Sequence, residues 1–234
     1  MSLDFLPNLT DTLAGQRPAT AGTRAYHALR QAIIQLQLRP GYLLSETEVA
    51  RQLGVSRQPV REAFIKLAEV GLLEVRPQRG TIVKLISIRD VGDARFLREA
   101  IELAVVRQAT SDASTRDLAD LDAIIAAQRA LGEGDNVAFL RLDEAFHQRL
   151  ARSAGREHAW RVLENLKAQM DRVRFLSLPD ATPLETIVAQ HARILEGVRR
   201  REAAVAEAAM REHLSEIFAS IPKLAAQHPD LFTQ

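Results

Sequence analysis

The sequence predicts a mostly α-helical protein: an N-terminal winged helix-turn-helix, with three helices and a β-hairpin, followed by a C-terminal all-α antiparallel helical bundle. Three observations support this class. Apolar residues recur at helical spacing through most of the chain. Strand-like runs flank a single Gly-containing turn that ends at Gly80. The composition, with 47% apolar and 26% charged residues among 234, is typical of a globular protein that buries a real core.

The first two helices are defined by their ends. Residues 1–20 show no sustained period and are predicted to form a mobile arm. The first helix is predicted from apolar residues at helical spacing: Tyr26, Leu29, Ile33 and Leu36. Pro40-Gly41 ends it. Ser45, followed three residues later by Glu48, has the form of a capping box and begins the second helix, which Gly54 ends.

The third helix and the hairpin complete the winged part of the chain. Ser56 is the expected N-cap of the third helix, and Gly71 ends it. Its apolar face consists of Val60, Phe64 and Leu67. Two β-rich runs, 72–75 and 81–86, surround a turn and predict a hairpin. The predicted winged helix-turn-helix domain therefore covers residues 21–86.

From residue 87 onward the pattern is helical throughout. The predicted helices are 88–109, 115–131, 135–153, 157–176, 183–199 and 202–219. Ile221-Pro222 is predicted to end the last of them, because proline lacks the N–H that continues a helix. The sequence thus predicts a helical domain over residues 87–221 and a C-terminal tail over residues 222–234.

Composition and charge restrict the function classes. The chain has no cysteine, which excludes disulfides, thiol nucleophiles and zinc fingers. No apolar run approaches the roughly 20 residues that span a bilayer, so we expect a cytoplasmic protein without a membrane partner. Residues 20–85 hold ten Lys/Arg against five Asp/Glu, whereas residues 86–234 hold twenty against twenty-three. The basic half suggests an anionic polymer as its partner, although chance could produce so modest an excess.

The start of the third helix carries the side chains of a DNA-reading surface. In a helix-turn-helix, this turn of the second motif helix enters the major groove. Arginine binds guanine edges or phosphates bidentately, and the wing tip adds one more positive side chain. The predicted DNA-binding residues are Ser56, Arg57, Gln58, Arg61, Arg79 and Gly80. The alternatives are a solvated helix face that carries two arginines, or a winged helix used for protein contacts.

Residues 24–84 resemble the N-terminal domain of GntR-type bacterial transcription regulators. The motifs that carry the resemblance include Arg39-Pro40-Gly41, Leu44-Ser45-Glu46, Val55-Ser56-Arg57, Pro59-Val60-Arg61-Glu62-Ala63 and Arg79-Gly80. The family often has threonine where this chain has Gln58. Because glutamine also bonds bases and phosphates, this departure concerns the operator sequence rather than DNA binding itself.

Four ligand-type side chains fall on the apolar stripes of three predicted bundle helices: Asp143, His147, His191 and His213. Asp143 and His147 are four residues apart and share one helix face. Buried imidazoles and carboxylates are costly unless they are paired or bind a metal. One oxygen and three nitrogen ligands suit Zn²⁺, Ni²⁺, Co²⁺ or Mn²⁺. The alternative is a hydrogen-bonded polar core without metal.

Residues 88–220 resemble the helical FCD domain of the FadR subfamily of these regulators. The shared pattern is Arg98-x3-Glu102, then Asp143-x3-His147, His191 and His213. The resemblance implies one divalent transition metal per subunit at the floor of a ligand pocket. Arg98 is the predicted effector-binding residue, because a guanidinium near a metal suits a small organic acid. The alternative for Arg98 is a pair with Glu102 on the helix surface.

Together these features predict a ligand-responsive transcription regulator, a repressor that binds a pseudo-palindromic double-stranded DNA operator as a homodimer. A small carboxylate bound at the metal is expected to release it from DNA. The alternatives are a metal-dependent enzyme or a metal sensor with a DNA-binding domain. A metal-dependent enzyme would need a general base beside the metal, but Asp143 is already a predicted ligand and no second inward carboxylate is placed by the pattern. The sequence also holds no nucleotide-binding Gly-rich loop and no Gly-x-Ser-x-Gly motif, so we expect no catalytic site.

Overall fold

A computed structural model describes Leu3, Leu6 and residues 20–76, 80–132, 134–178 and 183–233; of Ile217 it describes the backbone only. The chain divides into two compact units. The first joins residues 1–87 to residues 230–234, and the second is residues 88–229. Apart from Leu3, Leu6 and Thr20, the arm predicted at residues 1–20 lies outside the described residues.

The first unit is a winged helix-turn-helix, as predicted. Its helices are α1 (Ala21–Ile34), α2 (Glu46–Leu53) and α3 (Arg57–Glu69). Its strands are β1 (Leu43–Leu44), β2 (Leu73–Arg76) and β3 (Gly80–Val83), which form an antiparallel sheet in the order β1-β3-β2. Strand β1 was not predicted, because a strand of two residues is too short to display an alternating pattern.

Local signals explain how this unit turns. The Ser45 side chain accepts a hydrogen bond from the backbone N–H of Glu48 at 3.4 Å, which caps α2. Gly54 ends α2 in the left-handed region, with φ +67. Gly80 begins β3 at φ +88, and a Cβ there would lie 2.9 Å from Leu43 Cδ1. The Leu43 side chain is exposed and can move, so the positive φ is the reason that position 80 favours glycine.

The C-terminal residues belong to the first unit. The Ile86 backbone N–H donates to the Leu231 carbonyl at 2.8 Å, and the Thr233 N–H donates to the Ile86 carbonyl at 2.9 Å. Leu231 and Phe232 are buried. This segment therefore pairs with the last residues of the winged unit through both backbone and side chains.

The second unit is helical, as predicted. Its helices are α4 (Ile88–Asp112), α5 (Thr115–Arg129), α6 (Asn136–Ser153), α7 (Glu157–Leu166), α8 (Ala168–Ser177), α9 (Leu184–Arg199) and α10 (Ala203–Gln227). Its core includes Val106, Leu121, Phe139, Phe146, Ile194 and Met210. Among the described residues, no helix has both the length and the apolar character needed to cross a membrane.

Two predicted helix boundaries were wrong. The helix predicted at 157–176 is two helices that meet at Lys167, whose ψ of 1° departs from helical geometry. Lys167 is buried, and its ammonium binds Asp171 at 2.9 Å and also contacts Glu144. The last helix continues through Pro222 to Gln227. Burial of Ile221 and Leu224 on that stretch offsets the hydrogen bond that proline removes.

Candidate metal centre and recognition helix

The structure brings the four predicted metal ligands together. Helix α6 supplies Asp143 and His147, α9 supplies His191, and α10 supplies His213; all four are buried. One ligand atom from each lies within 4.8 Å of the others. The helical spacing that predicted these residues thus places them around one point.

The three imidazoles present the same ring nitrogen to this point. His147 Nε2 lies 3.1 Å from His213 Nε2, and His191 Nε2 lies 3.5 Å from Asp143 Oδ1. His147 Nε2 is 3.9 Å from Asp143 Oδ2. The centre is therefore a compact set of three nitrogens and one carboxylate.

The opposite ring nitrogens are held by a second layer of side chains. His191 Nδ1 lies 2.9 Å from Gln128 Oε1, and His213 Nδ1 lies 3.1 Å from Gln190 Oε1. Because amide oxygens only accept hydrogen bonds, both rings carry their proton on Nδ1. His147 Nδ1 lies in close contact with the Glu102 carboxylate, which can accept a hydrogen bond from a proton-bearing Nδ1. This arrangement leaves the Nε2 lone pairs to face one another.

The unpaired atoms of the centre fit a cation. Within the described part of the chain, His191 Nε2 and Asp143 Oδ1 are buried and make no hydrogen bond. Leaving such buried acceptors unpaired costs about 1–3 kcal/mol each. The lone pairs on His147 Nε2 and His213 Nε2 also face each other at 3.1 Å. A divalent ion among these atoms would satisfy all four, and the donor set matches a transition metal.

The electrostatics keep these groups in their ligand forms. Burial lowers the pKa of His191 to about 3, and burial together with its two neighbouring histidines holds the pKa of His213 well below its usual value. Burial would raise the pKa of Asp143, but the guanidinium of Arg174 and the three neighbouring histidines together outweigh it and keep that pKa well below the usual range. At neutral pH the centre therefore holds two neutral imidazoles and an ionised carboxylate.

Arg98 lies beside this centre. Its Nε donates to Glu102 Oε1 at 2.5 Å, and both side chains are buried, so the pair predicted as an alternative exists in the interior and not on the helix surface. Burial would raise the pKa of Glu102, but the charges of Arg98 and His147 lower it to about 2. Arg98 Nη2 is buried and makes no hydrogen bond to any described residue.

A cavity opens next to the cluster. Its empty volume is about 410 Å³, including its open mouth. Its lining consists of Arg98, Asp143, Arg174, Ser177, Leu178, Ile187, His213, Leu214 and Glu216. Two guanidiniums and two of the predicted metal ligands, Asp143 and His213, thus face the same space, which suits a small anion.

The two glutamines that support the ligand rings, Gln128 and Gln190, were not predicted from the sequence. Glu102 was predicted only as a partner of Arg98. Glu102 lies four residues after Arg98 on the buried face of α4, and that spacing could have marked it as a second inward carboxylate. The two glutamines follow no pattern that separates them from surface residues.

The predicted DNA-reading residues lie at the start of α3. Arg57 and Arg61 have side chains 61% and 54% exposed, and both bond the carboxylate of Glu46. Gln58 donates to Glu62 at 3.3 Å. The Ser56 side chain makes no capping hydrogen bond to α3. Gly80 opens β3, whereas Arg79 lies outside the described residues.

Comparison with known proteins identifies the class. Residues 21–83 match the family described as bacterial regulatory proteins, gntR family, and residues 93–216 match the FCD domain. A winged helix joined to such a helical domain defines a DNA-binding transcription regulator rather than an enzyme. The chain belongs to the GntR family and carries an FCD domain.

Individual relatives agree with this assignment. The chain is 41% identical over 210 residues to the HTH-type transcriptional repressor RspR of Escherichia coli, covering 89% of this chain and 92% of that protein. An uncharacterised regulator of Streptomyces ambofaciens is 38% identical over 208 residues, or 88% of this chain and 87% of its own. The structure of E. coli McbR/YncC superposes with a TM-score of 0.76 at 22% identity, over 90% of this chain and 99% of McbR/YncC.

Proposed function

We propose that this regulator is a cytoplasmic repressor of the FadR subfamily that binds a pseudo-palindromic operator as a homodimer. A small carboxylate, bound beside one divalent transition metal per subunit, would release it from DNA. The observation that carries the proposal is the convergence of three Nε2 atoms and Asp143 Oδ1 beside a cavity that also exposes Arg98. The repressor named RspR, at 41% identity, supports the direction of control.

Side chains of this chain would supply both the metal ligands and the groups that orient them. Asp143, His147, His191 and His213 would hold the ion, and Glu102 and the two glutamines would fix the ring orientations that binding needs. Bound there, a divalent ion offers open coordination positions to a carboxylate oxygen.

Arg98 and Arg174 would orient the effector. Arg98 lines the cavity, and its Nη2 makes no hydrogen bond to the part of the chain that the structure describes. A guanidinium binds a carboxylate through paired N–H groups. Arg174 already bonds Asp143, so an effector that approaches Arg174 also acts on a metal ligand. These contacts favour a small organic acid over a neutral ligand of the same size.

We propose a homodimer because one recognition helix contacts only a few base pairs. Two copies related by two-fold symmetry contact a site twice as long. Phe96 on α4 is 73% exposed and lines an open groove with Ala100, Leu103 and Phe218. A second copy of the chain that covers this groove would bury that apolar surface. We therefore expect Phe96→Glu to shift the protein toward monomer in light scattering, whereas Val205→Glu, on another exposed apolar residue, leaves its mass unchanged.

Two measurements test the proposal. Elemental analysis of protein purified without chelators should find about one transition metal per subunit, and a metal-free result after reconstitution would refute the centre. A thermal-shift screen of small organic acids against metal-loaded protein should find a ligand that then weakens operator binding. If added metal alone changes operator affinity and no acid does, the protein is a metal sensor instead.

A further inference from the structure

One carboxylate holds both arginines of the recognition helix. Glu46, the first residue of α2, accepts hydrogen bonds from Arg61 Nε and Nη2, both at 3.1 Å, and from Arg57 Nη2 at 3.3 Å. The Glu46 side chain is 25% exposed and thus less accessible than either arginine. The two side chains expected to meet DNA are therefore already engaged by a neighbouring helix.

We propose that Glu46 is a specificity-determining positioning residue, which favours base-edge contacts of Arg57 and Arg61 over contacts with phosphates of arbitrary sequence. This inference rests on the proposed role of these arginines in reading the operator. It concerns how they choose between two kinds of DNA contact.

The geometry separates the two kinds of contact. Glu46 occupies the Nε–Nη2 edge of Arg61 and so fixes the plane of its guanidinium. The end of the fork, Nη1 with the second N–H of Nη2, then points away as a pair of parallel donors, which is what guanine O6 and N7 require. Holding the plane thus prepares the contact that depends on orientation.

The negative charge of Glu46, by contrast, weakens the attraction of the two arginines for phosphates. The hydrogen bonds from Arg61 are the largest cause that lowers the pKa of Glu46, so its carboxylate stays ionised at neutral pH. Two arginines and one carboxylate carry a net charge of about +1 instead of about +2. Affinity for phosphates of any sequence depends on the number of charges neutralised. Glu46 therefore weakens non-specific binding more than it weakens an oriented base contact.

The competing explanation is purely structural. Exposed ion pairs contribute about 0–1 kcal/mol to stability, and an acidic residue in the first turn also favours a helix. Under that explanation, removing the charge of Glu46 changes affinity for all DNA alike. The ratio of specific to non-specific affinity separates the two explanations, because it does not depend on general loss of stability.

The experiment uses the full-length protein and two duplexes of equal length. One is the sequence that the parent protein selects from a random duplex pool, and the other is its scrambled version. Glu46→Gln keeps an acceptor but removes the charge, and Glu46→Asp keeps the charge but shortens the side chain. Glu48→Gln is the matched control, because it removes the same charge from the same helix where the partner is Arg51.

We expect Glu46→Gln to lower the ratio of affinities for the two duplexes by about tenfold, with a steeper salt dependence on the scrambled duplex, by about 0.9 per added phosphate contact. Glu46→Asp should lower the ratio as well, because the shorter side chain cannot hold both arginines. Glu48→Gln should leave it unchanged. Ratios that stay at the parent value in both Glu46 variants would overturn the inference.

Variants Arg57→Ala and Arg61→Ala show whether a negative result concerns only the role of Glu46 or the proposed DNA-binding function itself. If they bind both duplexes like the parent, or if the pool enriches no sequence, the recognition-helix assignment is wrong and the inference falls with it. If they lose operator affinity while the Glu46 variants keep the parent ratio, only the inference is wrong.

Discussion

Replacing Glu102 with glutamine tests how the candidate metal centre is supported without changing any of the four candidate ligands. Glu102 accepts a hydrogen bond from Arg98 Nε at 2.5 Å and contacts His147 Nδ1, and both of these atoms are donors. The carboxylate meets them with two oxygens. A glutamine has one oxygen and one amide nitrogen, so one of the two donors must face another donor.

The size of the effect follows from burial. The Arg98 and Glu102 side chains are each 4% exposed, so the substitution leaves a buried guanidinium without its counter-charge. Breaking a buried pair in this way costs about 3–5 kcal/mol. Loss of the Glu102 contact also weakens the hold on the His147 ring, and losing such a supporting partner lowers metal affinity by about 10–100-fold.

Urea unfolding of chelator-treated protein measures the first effect, and competition for Zn²⁺ against a chelator of known affinity measures the second. Glu212→Gln is the control, because its pair with Arg193 is exposed on both sides and contributes no more than about 1 kcal/mol. A double variant, Arg98→Met with Glu102→Leu, should be less destabilised than Glu102→Gln, since it leaves no buried charge. Equal unfolding free energy and equal Zn²⁺ affinity in Glu102→Gln and the parent would refute the reasoning.

Three further predictions concern metal, pH and the C-terminus. His191→Ala should abolish the rise in melting temperature that Zn²⁺ gives the parent, because binding to the folded state is lost, whereas His158→Ala, at an exposed position on α7, should keep it. The metal-free protein should lose on the order of 1 kcal/mol of stability per pH unit as pH falls below about 6.5. The reason is that the unfolded chain protonates His191 in this range, whereas the folded chain, in which the His191 pKa is about 3, does not. Unfolding free energies that stay level from pH 7 to 5 would contradict this. Deleting residues 229–234 should destabilise the winged unit by about 3 kcal/mol in thermal unfolding, because the burial of Leu231 and Phe232 is lost. The control is Asp230→Asn, which should cost less than about 1 kcal/mol because the pair of Asp230 with Arg39 is exposed.

Local chemistry made much of the winged unit predictable. Ser45 and Gly54 fix the ends of α2 through a side-chain cap and a left-handed conformation, and both signals act within a few residues. The clustering of the four candidate metal ligands was predictable for a similar reason. Asp143 and His147 share a face because helical spacing puts them there, and the apolar residues on the same stripe mark that face as buried.

The rest depends on contacts between distant parts of the chain. Lys167 ends α7 without a glycine or proline, because its ammonium is drawn to Glu144 and Asp171 in the interior. Gln128 and Gln190 support His191 and His213 from neighbouring helices, across 63 and 23 residues of sequence. No pattern within one helix reports such pairings.

Two helices that carry residues of the candidate metal centre connect along the chain to the winged unit. Helix α4, which carries Arg98 and Glu102, begins at Ile88, directly after the N-terminal part of the first unit, which ends at Ser87. Helix α10, which carries His213, leads to residues 230–234, which return to that unit. Under the proposed function, an effector that draws Arg98 toward its own carboxylate would compete with Glu102 and so act on both His147 and α4. Such coupling would be reciprocal, so operator binding should change effector affinity by the same factor, typically about 5–150-fold.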